Sequence, residues 1–316
     1  MNKGVVLAAD LGGTNLRMAA VDSDGGLLYR ASTATPRSFD HGELLNSIEI
    51  LSRECNEAIP GDHTIEAFGI AAAAVIDFDK GRIRNAPNMP ELNGLDLSAE
   101  LTEKIGVPVT VENDATAAAI GENWLGASRG VASSIFVTLG TGVGGGIILN
   151  GIPLRGVDGT AGEIGHICVE PAGVACGCGS TGCVEQYSSA TAIMRMANEL
   201  QKHYPDSLLK QNGELTPLNV FDAGMNGDEL AVEVFRRMGS YLGIALADLV
   251  NVLNPEVIVI GGGAAAGWEL FIEHLRAEVS KRAFKQPAER AKIIRAQLGN
   301  DAGILGAARL AFIKLA

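Results

Sequence analysis

Two stretches of this chain can be laid on one another. Residues 5–23 read VVLAADLGGTNLRMAAVDS and residues 133–151 read SSIFVTLGTGVGGGIILNG. Leu11-Gly12 falls on Leu139-Gly140, and Val21-Asp22 falls on Leu149-Asn150. Each stretch is an apolar run, a glycine turn and a second apolar run, the pattern of a strand hairpin. The two hairpins read as one unit used twice, which narrows the architectures available to the chain.

The rest of the chain mixes strands and helices. Gly25-Gly26 turns the first hairpin into a third strand at 27–31, giving a β-meander. Leu44, Leu45, Ile48, Leu51 and Cys55 recur at helical spacing and predict a helix over 41–58. Further strands are expected at 67–73, 107–111, 257–260 and 292–296. Helices are expected at 115–124, 189–203, 228–253, 268–284 and 302–315. The class is therefore α/β.

A length of 316 residues suggests two domains, each able to bury a core. The net charge of −12 opposes a polyanionic partner, so neither nucleic acid nor an acidic membrane surface is expected. Few aromatic residues argue against base-stacking platforms. The apolar run that meets Asp10 is too short for a signal peptide, and no run approaches membrane-spanning length. Five cysteines, three of them clustered, do not form the spread framework of a small secreted domain. A cytoplasmic protein with reduced thiols is expected.

Four motifs carry chemistry. In Asp10-Leu-Gly-Gly-Thr14, two glycines expose backbone N–H groups to an anion, Thr14 adds a hydroxyl, and Asp10 is placed to hold hydrated magnesium. An ordinary glycine hairpin with a solvated Asp is the alternative. Gly140-Thr141-Gly142 offers a second cradle of the same kind. Gly261-Gly262-Gly263 follows an apolar strand and can lie flat against a nucleobase, or simply turn into a helix. Glu112-Asn113-Asp114 follows a strand at the end where open α/β sheets bind ligands. There Asp114 is suited to accept a proton from a substrate hydroxyl and Asn113 to fix another, unless one of them caps the next helix.

A fifth pattern is local. His166, Cys176, Cys178 and Cys183 lie within eighteen residues as His-x9-Cys-x-Cys-x4-Cys. One imidazole and three thiolates complete a tetrahedral zinc set with no open position, which is a structural rather than a catalytic arrangement. Glu163 and Glu185 flank it.

These motifs together resemble the ROK family of sugar kinases and repressors, within the actin–hexokinase–heat-shock-70 superfamily. The resemblance runs end to end: Asp10–Arg17, Ala86-Pro87-Asn88, Glu112–Asp114, Thr138–Gly146, the Glu163–Glu185 signature and Gly261–Gly263. It implies a two-lobed actin-like, ribonuclease-H-like ATPase fold with a duplicated core and an interlobe cleft. The lobes would be 1–115 plus 301–316, and 116–300. It implies that Asp10, Gly12, Gly13, Thr14, Asn15, Gly140, Thr141 and Gly142 hold ATP phosphates with Mg²⁺, and that Gly262 and Gly263 flank the adenosine. It implies that Asp114 is the base on a sugar 6-hydroxyl, and that Asn88, Asn113, Glu163, His166 and Glu185 bind sugar hydroxyls. His166 would then serve zinc and sugar together.

The bacterial ATP-dependent glucokinases are the most similar branch, through Val184-Glu185-Gln-Tyr-Ser-Ser-Ala-Thr-Ala. One departure bears on the sugar: Gly69–Asp77 lacks the Pro and later Gly of the usual Gly-x-Pro-Gly loop. An N-acetylmannosamine or other hexose kinase is the alternative, as is a non-catalytic sugar sensor or repressor. With the first loop beginning at Asp10, a repressor's winged helix before it is not expected. A hexokinase-type enzyme acting on a hexose, as a homodimer or dimer of dimers, is the expectation. Whether polyphosphate replaces ATP is left open.

Overall fold

The computed structural model describes residues 4–36, 41–61, 63–210 and 215–315. It divides into two compact units. The first holds Met1–Val131, Gly146–Gly162 and Gln297–Ala316, and the second holds Ala132–Gly145 and Glu163–Ala296.

The first unit opens as the glycine pattern predicts. β1 (Val5–Leu11) and β2 (Asn15–Asp22) form the hairpin, with Asp10 opposite Arg17, and β3 (Leu27–Ala34) extends it antiparallel. Helix α1 (His41–Ala58) buries the residues that its spacing marked. Strand β4 (Ile65–Ala72) returns parallel to β1. A small hairpin follows, β5 (Val75–Asp77) with β6 (Arg82–Asn85), and then α2 (Leu97–Ile105). Asp96 caps α2 by accepting from Ala99 N–H, and Gly106 ends it in the left-handed region at φ 81°. Strand β7 (Val109–Asn113) pairs parallel with β4 and leads into α3 (Asp114–Trp124). The sheet order is β3-β2-β1-β4-β7.

The second sheet repeats that order. β8 (Ser134–Leu139) and β9 (Val143–Leu149) form the second hairpin, and β10 (Ile152–Pro153) extends it. The chain passes from the second unit into the first within β9, at Gly146. Helices α4 (Glu185–Ser188), α5 (Ala190–Leu200), α6 (Pro217–Met225) and α7 (Glu229–Leu253) precede β11 (Val257–Gly261). Helices α8 (Trp268–Arg282) and α9 (Lys285–Arg290) precede β12 (Lys292–Arg295), and α10 (Ala302–Leu315) closes the chain. The order is β10-β9-β8-β11-β12, with β11 parallel to both neighbours. Both sheets thus run third, second, first, fourth, fifth. The likeness of residues 5–23 and 133–151 reflects a duplication of the whole sheet.

The first sheet is covered on both faces. Val5, Leu7 and Ala9 enter one apolar cluster with α1 and α2, and Val6 and Ala8 enter another with α10. A strand buried on both sides must be apolar throughout, which is why Val5–Ala9 shows no alternation. Helix α10 lies very close to its neighbours. A Cβ on Gly306 would overlap the Ala117 carbonyl on α3, and one on Gly69 would overlap the Ala307 carbonyl. Gly69, the start of the loop that departs from the glucokinase pattern, therefore serves packing. The buried Glu122 accepts backbone N–H bonds from Gln297 (2.9 Å), Leu298 (2.8 Å) and Ala127 (2.6 Å), which fixes the entry to α10.

Candidate active site and metal centre

In the first unit, the parallel register places the candidate residues along one sheet edge. Leu11, Ala72 and Asn113 are in line across β1, β4 and β7. The first glycine turn and the Asn113-Asp114 step therefore leave the sheet side by side, at the carboxyl edge where α/β sheets bind ligands. Gly13, Thr14 and Asn15 are exposed at the turn. Asn88 joins them, since a Cβ on Gly13 would meet its Cβ at 3.7 Å. Asp10 forms an ion pair with Arg17, its cross-strand partner. Burial pushes the Asp10 carboxyl up from the usual range, and Arg17 opposes that shift.

Asn113 is the N-cap of α3. Its Oδ1 accepts from Thr116 N–H at 3.0 Å, and its Nδ2 donates to Ala74 O at 3.2 Å and to Asp114 Oδ1 at 3.1 Å. Asp114 Oδ1 also accepts from Ala115 N–H at 2.8 Å. Of the two capping alternatives, the structure selects Asn113, and Asp114 begins the helix. Behind them, Glu112 is buried and receives Arg155 Nε at 2.7 Å while accepting the Asn113 N–H at 3.0 Å. Burial raises the Glu112 pKa, and Arg155 offsets part of the rise. Removing one member of a buried pair of this kind typically costs ~3–5 kcal/mol. The pair is a firm support for the Asn113-Asp114 step.

In the second unit, Thr138 of β8 is in register with Gly261 of β11. Gly262 follows at φ 87°, and a Cβ there would stand 2.5 Å from both Leu139 N and Leu139 O. Only glycine fits, and its fit seats the third glycine run against the start of the second cradle. That cradle, Gly140-Thr141-Gly142, is pinned from behind. Ala190 N–H donates to Gly140 O at 2.8 Å, and the Thr191 hydroxyl donates to Thr141 O at 2.9 Å. Glu185 Oε2 accepts the Val143 N–H at 3.0 Å. The nucleotide candidates Gly140, Thr141, Gly142, Gly262 and Gly263 thus share one end of one sheet.

The knuckle is compact. The ligand atoms of His166, Cys176, Cys178 and Cys183 all lie within 4.8 Å of one another. Cys178 Sγ and Cys183 Sγ are 3.7 Å apart, as are Cys176 Sγ and His166 Nδ1. A disulfide is excluded at that distance. A tetrahedron with ~2.3 Å metal–sulfur bonds has edges of about 3.8 Å, so the thiol spacing fits one metal ion. His166 turns Nδ1 to the thiols and Nε2 toward Glu163 Oε2 at 3.8 Å. Glu163 is largely exposed.

Some supports were not read in the sequence. Thr35 pins the first glycine loop, its hydroxyl donating to Gly12 O at 2.7 Å and its N–H to Thr14 O at 2.9 Å. Thr191 does the same for the second loop. Thr35 lies well outside the motif it supports, and a lone threonine carries no pattern; Thr191 sits in the run 184–192, which by itself says nothing of the loop it pins. Arg155, forty-three residues from Glu112, is equally silent in sequence.

A duplicated sheet with glycine loops on matched edges defines the two-lobed actin-like ATPase fold. The chain matches the model of the ROK family over residues 6–313, and it belongs to that family. It is 38% identical to the glucokinase of Halalkalibacterium halodurans over 95% of this chain and 92% of that one. It is 35% identical to the glucokinase of Thermotoga maritima over 98% of each chain. Among solved structures, a ROK family glucokinase from Streptomyces griseus, in complex with glucose and AMPPNP, superposes with a TM-score of 0.82. The two share 35% identity, with 98% of this chain and 100% of that one covered.

Proposed function

We propose that the chain is a hexose kinase that transfers the γ-phosphoryl group of ATP to the 6-hydroxyl of glucose. The observation that carries this reading is the pair of matched sheet edges, each ending in a glycine loop, with an Asn113-Asp114 step beside the first. Relatives named glucokinase, similar over nearly the whole chain, support the choice of reaction. Among the described residues no helix is long and apolar enough to cross a membrane.

In this reading Asp114 takes the proton from the sugar hydroxyl as the oxygen attacks phosphorus. The first and second glycine loops direct backbone N–H groups at the phosphates of Mg-ATP, and Asp10 holds the hydrated magnesium of that substrate. Phosphoryl transfer demands little of the base and much of positioning and charge stabilisation. Asn88, Asn113, Glu163, His166 and Glu185 provide donors and acceptors for sugar hydroxyls. Asn113 does so while its cap holds α3 in place, and Glu185 with one oxygen committed to Val143 N–H.

We assign the His166, Cys176, Cys178 and Cys183 set to a structural zinc ion. A closed set leaves no place for substrate, so the ion would act by fixing the His166 ring. Were Nδ1 to hold the ion, Nε2 would remain facing Glu163. Purified reduced protein should contain about one zinc per chain by metal analysis.

The substrate is tested by a coupled ADP-release assay across glucose, mannose, N-acetylglucosamine, N-acetylmannosamine and fructose. Glucose should give the highest kcat/KM. Activity confined to an acetamido sugar would move the assignment to N-acetylmannosamine kinase and leave Asp114 in its role. A second prediction concerns the nucleotide side. Gly262→Ala forces a Cβ into the Leu139 backbone at a positive φ, a cost of about 2 kcal/mol or more. The melting temperature should fall, and KM for ATP should rise at least as much as KM for glucose.

A further inference from the structure

One cavity lies apart from the proposed nucleotide and sugar residues. It has a volume of about 700 Å³ and lies wholly within the first unit. Small-molecule sites commonly span ~300–1,000 Å³. Its wall is shared by the last turns of α3 and α10 and by the β9–β10 turn. Ile120, Ile148 and Leu310 form a buried apolar floor. At the mouth, Ile152 and Ile313 remain more than half exposed, at 67% and 54%.

The charge of the lining is unlike that of the chain. The protein has 37 acidic residues against 25 Lys and Arg, yet the cavity is lined by Arg129, Arg155 and Arg309 and by no Asp or Glu. Two of these arginines lie over aromatic rings. The Arg155 guanidinium is 3.6 Å from the Phe78 ring centre, and that of Arg309 is 5.4 Å from the Trp124 ring. Arg155 is committed to Glu112 at 2.7 Å. Arg129 and Arg309 have no carboxylate partner among the described residues. A guanidinium donates hydrogen bonds and accepts none, so two of them without a carboxylate partner around an apolar hollow are complementary to an anion.

We propose that this cavity binds a small organic anion with an apolar body, its acid group held by Arg129 and Arg309 and its body seated on Ile120, Ile148 and Leu310. The combination selects the class. Inorganic phosphate would leave the apolar floor unused, and a neutral apolar molecule would gain nothing from the two guanidinium groups. A protein segment is disfavoured by the shape, since the apolar surface lies at the bottom of a hollow rather than on a flat face. The site is separate from the proposed nucleotide and sugar residues, and its binding does not depend on the kinase assignment.

The test uses the full chain and isothermal titration calorimetry with two probes, 2-naphthoate and its neutral analogue 2-naphthalenemethanol. 2-Naphthoate should bind at one site per chain, with the neutral analogue weaker by about tenfold or more. The double variant Arg129→Gln, Arg309→Gln should lose about tenfold or more in 2-naphthoate affinity. Its melting temperature and its ADP-release activity should stay at the parent values, because neither residue supports the sheet edges. Equal binding of the two probes, or unchanged affinity in the double variant, would overturn the anion site. Absence of 2-naphthoate binding in the millimolar range would also overturn it. So would sedimentation showing self-association that Ile152→Asp with Ile313→Asp abolishes, because that result gives the hollow to a second copy of the chain.

Discussion

Asp114→Ala is expected to fold, to bind glucose within a few-fold of the parent, and to lose about three orders of magnitude in kcat. The local structure explains why the damage should be confined to turnover. The cap of α3 is Asn113, whose Oδ1 holds Thr116 N–H, and that bond does not involve Asp114. Glu112 and Arg155 hold the step from behind. The substitution removes an acceptor for Ala115 N–H and Asn113 Nδ2. It also removes a negative charge from the first turn of a helix, worth ~0.3–1 kcal/mol. Such losses are small beside the stability of a domain.

The loss of rate should be large but not total. Without the base, the sugar hydroxyl must shed its proton to water, while the glycine loops and magnesium still order the phosphates. General-base catalysis is commonly worth ~10²–10⁴ in rate, and positioning and charge stabilisation supply the remainder. Asp114→Asn is the control, since it keeps a side chain of the same shape with an oxygen for Ala115 N–H. Equal losses in the Ala and Asn variants would assign the effect to the carboxylate. Near-normal turnover in either variant would remove Asp114 from the role. Single-turnover measurement with glucose and Mg-ATP separates the chemical step from product release.

How much of this was legible in the sequence follows from the range of each interaction. The two hairpins could be read because a strand, a glycine turn and a strand are contiguous, and the same spacing appears twice. Their sheets could not be read to the same depth. That β4 runs parallel beside β1, and β7 beside β4, depends on pairings with residues far along the chain. Helix α1 was set by five apolar residues at helical spacing, whereas α2, β5 and β6 were not read at all. Strands β5 and β6 are only three and four residues long, too short to show a period. Helix α2 has nine residues and buries only Leu97 and Leu101. The candidate metal knuckle was legible because all four potential ligands fall within eighteen residues. Glu112 with Arg155, Thr35 with the first loop and Thr191 with the second were not. Each joins a motif to a residue whose type gives no hint of the pairing. The Asn113-Asp114 step lies between these cases: the sequence offered a cap and a base, and the Thr116 hydrogen bond decided which residue caps.

Removing a metal ligand should separate the two halves of the substrate site. In Cys183→Ser, zinc content should fall from about one per chain toward zero, and KM for glucose should rise ~10–100-fold, the range typical when the shell around a metal is disturbed. Cys183 is fully buried and stands 3.7 Å from Cys178 Sγ, so a hydroxyl there is a poorer ligand with no room to move. The knuckle leads to the sugar candidates on both sides. His166 presents Nε2 toward Glu163, and Glu185 lies two residues beyond Cys183. The candidate nucleotide loops rest on other contacts: Gly262 against Leu139, Ala190 N–H on Gly140, and Thr191 on Thr141. Among the described residues, the hydrogen bond from knuckle to cradle is Val143 N–H to Glu185 Oε2 at 3.0 Å, and beside it Gly165 packs too closely on the Val143 carbonyl to admit a Cβ. A bond to a charged acceptor is worth about 1.5–3 kcal/mol at most, and partial loosening of Glu185 would forfeit only part of it. KM for ATP should therefore move by roughly tenfold at most, and by less than KM for glucose. Cys168→Ser is the control, because Cys168 is exposed and outside the four-ligand set, and it should leave zinc content and both constants unchanged. Full zinc content in Cys183→Ser would sink the ligand assignment. Equal rises in the two constants would show instead that the ion orders the whole second unit rather than the sugar side of it.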